Sequence, residues 1–376
     1  MNVNLPLLLA LAALAGISIL RAYGQTSLPA DTKQALEVLR KQYNLPALAV
    51  VVVKDGKICD RAAAGIRKEG DSTPVTIDDQ FHIGSCTKSM TATLAAMLIE
   101  DGKLRWDTTI AEVFPEWKGK MEKQYENVTL EQLLTHRGGA PADAPPAAWS
   151  RAWQQIGAPV EQRREFILSV LEKPPQAPPG TKFIYSNQGY AIAGAMLEKL
   201  ACKPWEALIT ERLFQPLHID SAGFGPPGKT GAVDQPWGHT RKGSVTTPSQ
   251  TDNPPAIAPA GRVHCSLEDL ARYTIFHMQR AAAGGLLKPE SLAKLHTPPA
   301  AGGSYACGWD VVPRPWAGGN ALTHNGCNTM WYVVMWLAPE KDFSVVAGTN
   351  IGLDNTQAAK ACDDVAAAMI KKWLPQ

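Results

Sequence analysis

The chain has 376 residues, of which 45% are hydrophobic, and a formal net charge of +2. That length and apolar content suffice for a large core, built as one big domain or two intimately joined ones. The near-balanced charge leaves no electrostatic case for a nucleic-acid partner, and the seven cysteines follow no zinc-ligand spacing.

In chain order, the first signal is an apolar run from Leu5 to Leu20, short for a membrane span, followed by the small-x-small pattern Ala22-Tyr23-Gly24. It reads as a signal peptide over residues 1–24, cleaved after Gly24, and so as a periplasmic or secreted protein. No Lys or Arg precedes the run, which keeps an uncleaved anchor, and with it membrane contact, as the rival. Asp31 to Tyr43 reads as a helix. Ala47 to Val53 and Lys57 to Ile66 read as strands joined at Asp55-Gly56, a two-residue hairpin signal. Phe81-His82-Ile83-Gly84 leads to Ser85, which opens an apolar helix carrying Met90, Leu94, Met97 and Leu98 and closed by Gly102. From there to about Arg280 the pattern is mostly helical, with a capping box at Thr129 to Gln132 and Pro/Gly-rich loops at 140–148, 174–180 and 225–261. Strands return at Trp331 to Ala338 and Phe343 to Thr349, and a last helix runs from about Thr356 to Trp373. Strands at both ends with helices between them predict an α+β fold. An antiparallel sheet built from both chain ends (about 25–84 and 300–376) would be flanked by helices and interrupted by a mostly helical insertion over 85–299.

Ser85 and Lys88 stand three residues apart, which on a helix puts both side chains on one face. A serine hydroxyl is a poor nucleophile at neutral pH. It needs a group to take its proton and donors to hold the oxyanion that forms. A lysine whose pKa is lowered by burial can take the proton, and the helix N-terminus favours developing negative charge. Tyr185, after Pro178-Pro179-Gly180 and before an apolar helix, is placed to relay a proton to a leaving group. His324 would add polarity on the opposite wall.

Single motifs of this kind recur by chance; about one or two Ser-x-x-Lys are expected in a chain this long. Ser291-Leu292-Ala293-Lys294 is a second, Tyr125-Glu126-Asn127 repeats the pattern of Tyr185-Ser186-Asn187, and Lys229-Thr230-Gly231 is a literal Lys-Thr-Gly. Context selects Ser85 over Ser291, which looks like an ordinary surface helix start, and Tyr185 over Tyr125, which sits in a charged stretch. It selects His324-Asn325-Gly326, ahead of an aromatic and β-branched run, over Lys229 in a Pro/Gly loop.

With those three motifs in place, the chain resembles the penicillin-recognising serine hydrolases, in particular the class C β-lactamase-like group with its D-Ala-D-Ala carboxypeptidases, D-aminopeptidases and esterases. Val128 to His136, Pro259-Ala260-Gly261, Ser266 to Ala271 and Gly308-Trp309 carry the likeness beyond the motifs, from about residue 30 to the end. The resemblance implies Ser85 as acylated nucleophile, Lys88 and Tyr185 as proton-handling pair, and Asn187 as a partner for the substrate amide. It also implies an oxyanion hole from the backbone N–H groups of Ser85 and Cys327, beside Gly326, and a cleft between sheet and helical part. Two positions depart from the group. His324-Asn325-Gly326 stands where a class C β-lactamase carries Lys-Thr-Gly, and His136-Arg137-Gly138-Gly139 replaces the more usual His-x-Ser-Gly. The first favours peptidase or esterase chemistry over efficient β-lactam hydrolysis.

The expected activity is therefore that of a serine hydrolase acting on a small amide or ester: a D-amino-acid peptide, a β-lactam or a short-chain ester. The alternative is a slowly acylated or inactive sensor of the same fold. No metal, cofactor or partner protein is implied; the partner is a small-molecule or short-peptide substrate. Of the eleven Trp, Trp331 and Trp309 lead as pocket-lining candidates. Cys86 reads as a small core residue, and a Cys307 to Cys327 bridge stays open.

Overall fold

The structure, a computed structural model, describes residues 28–278, 285–353 and 356–374; the predicted leader lies outside them. No described helix is long and apolar enough to cross a membrane. Helix α1 (Thr32–Gln42) starts at Asp31, whose carboxylate accepts from the N–H of Gln34 at 2.8 Å. Strands β1 (Ala47–Lys54) and β2 (Lys57–Gly65) follow as the predicted hairpin. Asp55 and Gly56 both take positive φ, 52° and 70°, the backbone that a two-residue turn between twisted strands requires.

The other four strands come from the far end of the chain: β3 (Asp310–Arg314), β4 (Gly319–Cys327), β5 (Tyr332–Ala338) and β6 (Phe343–Thr349). The sheet order is β2-β1-β6-β5-β4-β3, and every pairing is antiparallel. The first and last parts of the chain thus meet at the β1–β6 seam, where Val50 faces Ala347 and Val52 faces Val345. Sequence reading missed β3 and β4 because both lack an apolar alternation. The first carries Pro313 on a half-exposed edge, and the second reads Gly-Asn-Ala-Leu-Thr-His-Asn-Gly-Cys.

The uninterrupted Ala-Leu-Ala-Val-Val-Val-Val of β1 is explained by burial on both faces. Ala49, Val51 and Val53 join one core with the central helices, whereas Leu48, Val50 and Val52 join a second core under α1 and the C-terminal helix (Ala358–Trp373). Between the sheet's two contributions lies the helical part, centred on α2 (Thr87–Glu100). Its residues from Thr87 to Leu98 are all buried, so it is packed on every side rather than amphipathic. The region is less purely helical than predicted. A three-stranded sheet (Gln80–His82, Val263–Ser266, Gly223–Phe224) and a hairpin (Gly238–Lys242, Val245–Ser249) fall in or beside the segment read as loop.

Candidate active site

Ser85 lies in a 3₁₀ turn, Gly84–Cys86, that feeds directly into α2, so the α-helix proper begins at Thr87, two residues later than the sequence suggests. The turn is pressed against β4 by two glycines. A β-carbon on Gly326 would sit 1.8 Å from the Ile83 carbonyl oxygen and 2.7 Å from the Ser85 nitrogen. One on Gly84, where φ is +48°, would sit 2.4 Å from the nitrogen of Cys327. Only glycine permits this approach of backbone to backbone, and it sets the Ser85 turn directly against the Gly326–Cys327 end of β4.

One helical turn on, Lys88 is fully buried. Its Nζ lies 3.0 Å from Ser85 Oγ, 2.7 Å from Asn187 Oδ1 and 2.8 Å from the carbonyl oxygen of Ala260. Burial holds its pKa well below the ordinary lysine value. A neutral amine has two N–H bonds and one lone pair. The two carbonyl oxygens can only accept, so they take the two N–H groups and leave the lone pair for the Ser85 hydroxyl. The predicted partner Asn187 thus meets the lysine directly. The Ala260 carbonyl was not anticipated, because a backbone acceptor in a Pro/Gly loop has no side-chain signature.

The Tyr185 ring lies 4.8 Å from Lys88 Nζ. Burial pushes its phenol above the usual range, so it stays protonated at neutral pH. The segment around it is clamped on both sides by His136. The Ile184 N–H donates to the His136 carbonyl at 2.8 Å, and the Ser186 N–H donates to His136 Nδ1 at 3.1 Å. Ser186 in turn caps the helix Asn187–Ala201 by accepting from the Gly189 N–H. His136 takes a left-handed backbone, φ +58°, and its ring packs between Tyr185 and Tyr305 with centroids 4.4 and 4.7 Å away. Sequence reading met this histidine at the end of the Val128 to His136 likeness and at the head of a departure from the family motif, and its place beside Tyr185 comes from the tertiary fold.

His324 sits on β4, opposite Met335 of β5, but it offers no free nitrogen. Its Nδ1 lies 2.6 Å from the Asn325 carbonyl, which can only accept, so Nδ1 carries the proton. Nε2 then accepts from the Tyr305 hydroxyl, 3.0 Å away. Burial pushes its pKa down to about 3, so the ring is neutral near pH 7. The polarity expected from His324 is spent on orienting Tyr305.

The rejected motifs lie elsewhere. Lys229, Thr230 and Gly231 are exposed on a turn; Lys294 pairs with Glu131 at 2.6 Å; and Tyr125 is buried in the core. Trp309 and Trp331 are fully buried and line no cleft, the first packed beside Tyr273 and His277, the second beside His82. Cys307 is a buried thiol, so the Cys307 to Cys327 bridge left open above is not formed, and no group of acidic, His or Cys side chains among the described residues is arranged to hold a metal.

The family model described as Beta-lactamase matches residues 32–368. Among curated proteins, the chain is 24% identical over 347 residues to penicillin-binding protein 4 of Amycolatopsis lactamdurans, covering 86% of each. It is 24% identical to an unguisins hydrolase of Aspergillus campestris over 88% of this chain, which spans 63% of that relative's length. Among solved structures, D-alanine carboxypeptidase AmpC from Burkholderia cenocepacia superposes with a TM-score of 0.72 at 22% identity, covering 90% of this chain and 97% of the other. At that identity the superposition speaks for the fold.

Proposed function

The chain belongs to the β-lactamase family of serine hydrolases, and on that premise we propose that it hydrolyses small amides or esters through an acyl-enzyme on Ser85. In this reading Lys88 takes the Ser85 proton as Oγ attacks the substrate carbonyl, and the oxyanion accepts from the N–H groups of Ser85 and Cys327. Tyr185 passes a proton to the leaving group as the scissile bond breaks. Water then attacks the acyl carbon, losing its proton to the same pair, and Ser85 departs reprotonated. Asn187 serves the substrate amide while holding Lys88.

The observation that carries the reading is the environment of Lys88: a buried amine whose hydrogen-bond partners among the described residues are two pure acceptors and one hydroxyl, with no carboxylate to keep it charged. Its lone pair has the serine as the one proton source. We place the substrate among D-amino-acid peptides and short-chain esters ahead of β-lactams, because the strand residue on the far wall is a neutral histidine engaged with Tyr305, where a lysine would attract a substrate carboxylate. Export to the periplasm or beyond belongs to the same proposal, and N-terminal sequencing of the protein recovered from the cell exterior should begin at Gln25.

The test is to incubate the protein with a fluorescent penicillin and with a short p-nitrophenyl ester, following intact mass and product release together. A mass gain on Ser85 with continuing release of nitrophenol is expected. A persistent adduct without turnover would make the protein a sensor, and no adduct with either probe would sink the acyl-enzyme assignment.

A further inference from the structure

A second buried polar cluster lies behind the serine turn. The Gly84 N–H donates to His82 Nδ1 at 3.1 Å, so Nδ1 is an acceptor and Nε2 is the nitrogen that carries a proton. That nitrogen lies 2.9 Å from Asp252 Oδ2. The same carboxylate oxygen accepts from Arg262 Nε at 3.1 Å, and Oδ1 accepts from Asn328 Nδ2 at 2.9 Å. Asn328 spends its other amide atom on the backbone, Oδ1 accepting from the N–H groups of Met330 and Trp331, each at 3.2 Å. His82 is fully buried; Asp252 and Asn328 are 5% and 3% exposed. Burial works against the charge of Asp252, but His82, Arg262 and Asn328 outweigh it and hold the carboxyl below its ordinary range.

The connectivity has a particular shape. His82 fixes Gly84, the residue before Ser85, and Asn328 is the residue after Cys327. Those are the neighbours of the Ser85 and Cys327 nitrogens, where the turn lies against β4. An oxyanion hole needs both donors held at one point before charge develops, since donors that must reorganise lose most of their effect. Gly84 has the freest backbone in the turn and Thr329, just past Asn328, has φ +79°. Each side therefore contains a residue that must be tied down.

Resting on the acyl-enzyme reading above, we propose that Asp252 is a positioning residue which couples the two halves of the oxyanion cradle, the Ser85 side through His82 and the Cys327 side through Asn328. It touches no substrate and acts by holding two backbone segments in one register.

The experiment compares wild type with Asp252→Ala, Asp252→Asn, His82→Phe, Asn328→Ala and the doubles His82→Phe/Asp252→Ala and Asn328→Ala/Asp252→Ala. Substrate is a p-nitrophenyl ester, and active sites are titrated by the mass of the Ser85 adduct, so misfolded protein lowers the titre without moving the rate per site. The expected result is a fall in kcat of about 10–100-fold in Asp252→Ala, with KM within about twofold and weaker binding of butylboronic acid, whose tetrahedral adduct places an oxygen where the oxyanion forms. The doubles should be no slower than Asp252→Ala, because both struts run through one carboxylate. Unchanged kcat and boronate affinity per titrated site in Asp252→Ala and Asp252→Asn, or losses that add in the doubles, would overturn the coupling. A wild type that forms no Ser85 adduct would instead overturn the acyl-enzyme reading, and this inference with it.

Discussion

Two serines in this chain are followed three residues later by a lysine on the same helical face, and the two lysines have opposite surroundings. Lys294 keeps 34% of its side chain exposed and pairs with Glu131, a carboxylate that favours the charged amine. Lys88 has no exposure and faces two carbonyl oxygens and a hydroxyl. With the same residue types at the same spacing, the solvated pair makes an ordinary surface contact and the buried pair supplies the base of the proposed reaction. Desolvation separates them, because removing a lysine from water without a carboxylate penalises the ammonium form and frees a lone pair.

The largest expected contrast is between the serines. Ser85→Ala should lower turnover by about 10⁴-fold or more and abolish the covalent adduct, whereas Ser291→Ala should leave both unchanged, as read by nitrophenol release and intact mass. If Ser291→Ala proved the damaging variant, the comparison would be inverted. Next come the lysines. Lys88→Met keeps the length of the side chain but has no lone pair of comparable basicity, and should cost about 10³-fold in kcat/KM. Lys294→Met removes a half-exposed ion pair and should change stability by less than about 1 kcal/mol in a urea titration, with activity intact.

A pH profile sharpens the same contrast. Lys88 acts when neutral, so kcat/KM should rise with pH on a limb set below the ordinary lysine range, and Tyr185 acts when protonated, so the falling limb should lie above the ordinary tyrosine range. A profile that is flat where Lys88 should titrate would remove it as the base. Stability has its own sign. His324 and His239 are buried and neutral, pushed down to about 3 and about 4, so between those values and about 6.5 the unfolded chain binds more protons than the folded one. Stability should therefore fall as pH drops through that window, by up to about 1.4 kcal/mol per unit for each histidine; urea midpoints that do not move between pH 6.5 and 4 would contradict the buried neutral rings. The smallest contrast concerns the third motif. His324→Ala frees the Tyr305 hydroxyl and should cost about tenfold in kcat, while Lys229→Ala, on an exposed turn, should be silent; the reverse order would relocate the far wall of the site.

Much of the fold was legible where local chemistry and periodicity agreed. The Asp55-Gly56 turn, the first helix, the Thr129–Gln132 box and the two last strands are all encoded within a few residues of themselves. Strands β3 and β4 were not, since Pro313, Asn320 and Asn325 give no alternation; β4 is held by its pairing with the strong strand β5, and β3 by its pairing with β4. Trp309 and Trp331 follow the reading of most Trp as core; their lead as pocket candidates rested on nearness in sequence to His324, which does not say which face of the sheet or which side of a helix a large ring will fill.

By itself the sequence determined which residue types the site would contain and in what order, because nucleophile, base and relay each need a particular functional group, and helical spacing ties Ser85 to Lys88. It also determined the glycines at 84 and 326, since no other residue survives that backbone approach. Only the tertiary structure decided the protonation states. Whether a lysine is a base or an ion-pair partner, which nitrogen of His324 or His82 carries the proton, and whether a carbonyl such as that of Ala260 is a ligand all depend on desolvation and on donors and acceptors from distant segments. Those terms are set by burial, and burial is a property of the assembled fold.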